Sequence, residues 1–115
     1  MYAYMRKGVE HVSDKTYTID EIKYIIIPIA KKYGVDRVFL FGSYARGEAV
    51  VSSDLDFIID KGRLRGLKLA GMLGDLQETF GKNVDLLTSA SLSEGRYYSN
   101  FKQNIEKEMV TIYEQ

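Results

Sequence analysis

Cysteine is absent from this chain of 115 residues and histidine occurs once, at His11. These two absences remove disulfides, a cysteine nucleophile, thiolate metal sites and any ordinary zinc site. Net charge is also missing: 16 basic residues balance 16 acidic ones. Coating DNA or RNA relies on a broad positive field, so nucleic acid is not expected as the main partner. A long apolar run is lacking too; none approaches the roughly 18 residues that would span a bilayer, and no signal-peptide pattern is seen. No membrane association is expected, and the cytoplasm is the default compartment. What the chain does offer a metal is oxygen.

Hydrophobic residues make up 45% and charged residues 28%, the balance of a globular domain. The length fits one domain, residues 18–115, preceded by a tyrosine-bearing arm, residues 1–17, without clear period. A macromolecular substrate would then have to be held partly by another chain. Nine tyrosines and several exposed-looking apolar residues leave homo-oligomerisation open.

The pattern predicts alternating elements. Thr18 with Glu21 forms a capping-box signal, Ile22, Ile25, Ile26, Ile29 and Tyr33 repeat at helical spacing, and Gly34 is a natural stop. Pro28 falls inside this helix, where a kink or early break is expected. Val35 to Phe41 reads as a strand, Tyr44 to Gly47 as a short helical turn, and Leu55 to Ile59 as a second strand. A middle helix is predicted from Leu64 to Phe80, its glycines Gly66, Gly71 and Gly74 pointing to close packing on a sheet. Asn83 to Thr88 reads as a third strand, Arg96 to Lys107 as a final helix and Met109 to Tyr113 as a final strand.

The most informative stretch is FLFGSYARGEAVVSSDLDFIID, Phe39 to Asp60. An apolar strand runs into Gly42-Ser43, where glycine lets an anion approach the backbone and the serine hydroxyl adds a donor. The first amides of the following turn also favour anions. Ten residues later come Asp54 and Asp56, two apart and therefore facing one way on a strand. Like charges forced together call for a cation between them, and a hard divalent ion such as Mg²⁺ takes such ligands. Asp85, set among Val84, Leu86 and Leu87, is a third carboxylate: buried, it would require a partner, and the alternative is an edge-strand aspartate facing water.

Gly42-Ser43, a ten-residue interval and then Asp54-x-Asp56 resembles the signature of the DNA polymerase beta nucleotidyltransferase superfamily. GSYARGEA followed by SDLDFII is similar in particular to its minimal nucleotidyltransferases, and the resemblance extends over roughly Thr18 to Tyr113. It implies an α/β fold, a small mixed sheet with helices packed on it in the order α-β-α-β-α-β-α-β. It also implies the roles. Asp54, Asp56 and Asp85 would be the catalytic carboxylates and hold two Mg²⁺ ions; Gly42 and Ser43 would bind the nucleotide triphosphate.

Arg46 belongs to the motif's ARG element; contact with phosphate and a plain ion pair are both open, and no catalytic role is assigned. The run Lys61, Arg63, Arg65, Lys68 reads as a solvated face. Asp60 and Asp75 match structural positions.

The resemblance further implies transfer of AMP from ATP to a protein hydroxyl, in an antitoxin whose partner is a helical HEPN-type toxin. A non-catalytic antitoxin that acts by occlusion is the rival; the intact set of site residues argues against it. A catalytic subunit acting on a small molecule or a tRNA end would need a further binding domain.

Overall fold

In a computed structural model, residues 14–93 and 107–115 are described; most of the arm and all but the last residue of the helix expected over 96–107 lie outside them. Helix α1 spans Ile19–Tyr33. The Thr18 hydroxyl accepts the Glu21 N–H at 3.0 Å, and Glu21 returns the favour by accepting the Thr18 N–H at 2.8 Å, so two orphan donors are satisfied at once. Gly34, at φ 70°, closes the other end. The helix continues through Pro28 to Tyr33, so the early break does not occur. Pro28 lies on the exposed face, and the carbonyl that loses its donor belongs to Tyr24, itself 79% exposed, where water can serve it. The opposite face, Ile22, Ile26, Ile29 and Ala30, is buried and holds the helix to the core.

Strand β1 spans Arg37–Phe41, helix α2 Gly42–Arg46, strand β2 Leu55–Asp60, helix α3 Leu67–Phe80, strand β3 Val84–Thr88, helix α4 Ser89–Ser93 and strand β4 Val110–Glu114. α3 starts later than its apolar period implied because Gly66 sits at φ 58°, outside helical space. Leu64 is nonetheless buried, in the turn that precedes the helix. The short α4 has no apolar period and was not foreseen.

The sheet order is β3-β2-β1-β4. β1 is antiparallel to both neighbours, while β2 and β3 are parallel, as a crossover through α3 requires. This is the mixed α/β sheet expected. β2 is nearly continuous apolar surface: Leu55, Phe57 and Ile59 join the main core with α1 and α3, and Ile58 packs with Phe39, Phe41, Leu87 and Met109 on the other face. The arm's last residue, Tyr17, is tied to this core; its hydroxyl donates to the Phe80 carbonyl at 2.8 Å and its ring meets Phe80 edge-on at 5.1 Å.

The glycines of α3 do not pack on the sheet. Gly71 adjoins Tyr33 of α1, whose hydroxyl would lie 3.3 Å from an added Cβ, and nothing stands within 4 Å of Gly74. Gly74→Ala is therefore expected to raise unfolding free energy by up to about 1 kcal/mol in denaturant titration, the difference in helix propensity; an unchanged or lowered value would mean that close packing was missed.

Candidate active site

β1 delivers the chain to the site. Its last residue, Phe41, is in register with Asp56 on β2, and the next residue, Gly42, turns at φ 77° into α2. A Cβ at Gly42 would collide with the Asp56 carboxylate. Glycine is thus required twice, for its left-handed backbone and for the space that Asp56 fills. Gly42 and Ser43 form the first turn of α2 rather than preceding it. No side chain caps that turn, and Ser43 is half-buried. Tyr44, 3% exposed, roots the helix in the core.

The three acids reach the site differently. Asp56 lies inside β2, half-buried. Asp85 stands opposite it on β3, in register, and the two carboxyls hydrogen-bond. Asp54 precedes β2 and is exposed. Asp85 takes the edge-strand alternative: β3 is an edge strand and Asp85 is exposed. Its partner is the half-buried carboxylate next door, so the burial cost falls on Asp56.

Burial, the Asp85 hydrogen bond and the charges of Asp85 and Asp54 push the Asp56 carboxyl from 3.8 up to about 7, with a small opposing pull from Arg46. Such a rise marks a place that lacks positive charge. Among the described residues no group of three acidic side chains is arranged to grip an ion; Asp56 and Asp85 touch, and Asp54 acts on Asp56 through its charge. The donor set, hard oxygens with a half-buried pair at its centre, suits a divalent cation of the Mg²⁺ kind.

Arg46 takes the ion-pair alternative. Its Nε lies 2.9 Å from Glu48 and a terminal nitrogen 3.1 Å from Glu108, tying α2 to the residues before β4. Asp60 and Asp75 are structural: Asp60 meets Arg37 at 2.6 Å, and Asp75 accepts from Lys32 at 2.8 Å and Tyr33 at 2.6 Å. The run from Lys61 to Lys68 follows the far end of β2 from Asp56, and Arg65 spends one nitrogen on the Gly62 and Leu64 carbonyls. It does not reach the site. One residue near the site escaped the sequence reading. Lys82 is 3% exposed and donates to the Val51 carbonyl at 2.7 Å; a lysine after a helix-ending glycine carries no sequence signal of burial.

The titration of Asp56 has a consequence for stability. Folded protein holds this proton up to about pH 7, whereas the unfolded chain releases it near 3.8. Between those values the folded state binds the extra proton, so stability falls as pH rises through the interval. In chelator-treated protein, the melting temperature should decline from pH 5 to pH 8. Asp56→Asn should flatten that decline and be more stable than wild type at pH 8 by about 1 kcal/mol, or roughly 4–8 °C. A wild-type profile that is flat or rising would contradict the assignment.

The comparisons with known proteins point to one family. A Methanocaldococcus jannaschii protein named "Putative protein adenylyltransferase MJ0435" is 45% identical over 75 residues, 64% of this chain and 81% of its own. A Thermococcus cleftensis protein named "Protein adenylyltransferase MntA" is 34% identical over 83 residues, 68% of this chain and 84% of its own. In fold, the chain is similar to a solved toxin-antitoxin structure with AMP-PNP, at a TM-score of 0.63 and 19% identity, covering 81% of this chain and 73% of that one. The nucleotidyltransferase domain model matches residues 22–112, most of the chain and every residue of the site, and the protein accordingly belongs to that family.

Proposed function

We propose that this nucleotidyltransferase moves AMP from ATP onto a hydroxyl of a partner protein, a HEPN-type toxin for which it serves as antitoxin. The observation that carries the chemical part is the Asp56–Asp85 pair, held together beside Asp54 and under Gly42, with Asp56 driven to about 7. The names of the relatives support adenylyl transfer to protein, and the solved toxin-antitoxin neighbour supports the partner. Among the described residues no helix is long and apolar enough to cross a membrane.

Asp54, Asp56 and Asp85 would hold two Mg²⁺ ions, which neutralise charge on the triphosphate and on the transferring phosphoryl group. The chain's own part is positioning. Gly42 N–H and the Ser43 hydroxyl bind the β- and γ-phosphates, which fixes the α-phosphorus next to the carboxylates. The acceptor oxygen attacks that phosphorus, the bond to the bridging α–β oxygen breaks, and pyrophosphate leaves. Asp85, exposed at the sheet edge, faces incoming acceptor more openly than Asp56 and takes up the hydroxyl proton.

Purified protein incubated with Mg²⁺, α-labelled ATP and the HEPN-type toxin proposed as its partner should transfer label to that toxin. Asp54→Asn combined with Asp56→Asn should reduce transfer by at least about 10³-fold. Undiminished labelling by the double variant would contradict the mechanism. A double variant that cannot label yet neutralises the toxin fully would replace catalysis with occlusion.

A further inference from the structure

Among the described residues Lys82 is the one charged side chain that is buried. An ammonium is costly to bury unless something holds it, and its Nζ donates at 2.7 Å to the carbonyl of Val51. Val51 belongs to the loop between α2 and β2, three residues ahead of Asp54. Lys82 itself lies three residues ahead of Asp85. The hydrogen bond thus joins the two segments that lead into the two acids.

That loop needs an anchor. The pairing of β2 with β3 begins at Leu55 and Val84, with the Leu55 N–H donating to the Asn83 carbonyl at 3.0 Å, so Asp54 stands outside the ladder. Residues 50–53 close on themselves: Val50 N–H donates to the Ser53 hydroxyl at 2.8 Å and Ser53 N–H to the Val50 carbonyl at 2.9 Å. The side chains at the tip, Val50 and Val51, are 59% and 51% exposed, so apolar packing holds the tip weakly. The Lys82 bond attaches this turn to the β3 side.

We propose that Lys82 is a positioning residue: by tying the Val51 carbonyl to the start of β3, it sets the placement of Asp54 relative to the Asp56–Asp85 pair. The proposal rests on the carboxylate site described above. Removing the tie leaves the ladder intact and Asp54 on a loosened turn, which weakens ion binding without dissolving the sheet.

The test compares wild type with Lys82→Met, a neutral residue of similar length, and Lys82→Arg, which keeps a cationic donor. Amide hydrogen exchange is read over residues 50–54 in chelator-treated protein, and Mn²⁺ binding is titrated separately by calorimetry. Lys82→Met should speed exchange at Ser53 and Asp54 at least about tenfold, with α1 unchanged, and weaken Mn²⁺ binding by about tenfold, the scale of losing a residue that orients a ligand. Lys82→Arg should return both to within about threefold of wild type. Should Lys82→Met fail to fold, Lys82→Gln, with a donor too short to span the gap, is expected to change both readouts in the same direction. Wild-type exchange and Mn²⁺ affinity in a folded Met or Gln variant would overturn the proposal; so would unfolding of both, which would make Lys82 a residue of stability alone. If wild type takes up no Mn²⁺, the nucleotidyl-transfer reading fails, and the exchange comparison still decides whether Lys82 holds the loop.

Discussion

Two carboxyl groups on adjacent parallel strands, one of them half-buried, stand in register against each other. Asp56 is confined by β1 and Gly42 on one side and by Asp85 on the other. Left to themselves, such groups share a proton; offered a cation, they release it. The surrounding fold follows from the need to hold them there. β2 is central and apolar almost throughout, so its register cannot slip without expelling Leu55, Phe57 and Ile59 from the core. β3 must run parallel to it, which requires α3 as the crossover.

The site consequently sits where three independent segments converge. β1 leads into the first turn of α2, Gly42-Ser43, whose glycine is dictated by the neighbouring carboxylate as much as by any ligand. β2 supplies Asp56 from inside the ladder and Asp54 from just outside it. The difference in rigidity between these last two is chemically apt: Asp56 is fixed by the sheet, while Asp54 depends on the turn from Val50 to Ser53 and on what tethers that turn.

Much of this was legible in the residues because local and global preferences agree. Thr18, Glu21 and Gly34 mark the ends of α1, and the Asp-x-Asp pair at the head of an apolar strand marks the site. Other features were not legible, for physical reasons that differ. Pro28 is tolerated because its unpartnered carbonyl faces water, a fact of placement rather than of composition. Gly74 shows no packing cause. Val84, Leu86 and Leu87 around Asp85 leave burial and an edge position equally open, because edge position depends on strand order, which no local pattern encodes. Arg46 could equally have met phosphate or carboxylate; Glu108, 62 positions away in sequence, takes it. Lys82 was invisible because its acceptor is a backbone carbonyl, which has no residue type.

The claim on which the rest depends is the raised titration of Asp56, and the most direct measurement is carboxyl ¹³C NMR of that residue through pH 3 to 9 without divalent ions and then with Mg²⁺. The account predicts a midpoint of about 7 that moves down when Mg²⁺ is added and returns toward ordinary values in Asp85→Asn. A midpoint at the ordinary carboxylate value of 3.8, indifferent to Mg²⁺, would contradict it.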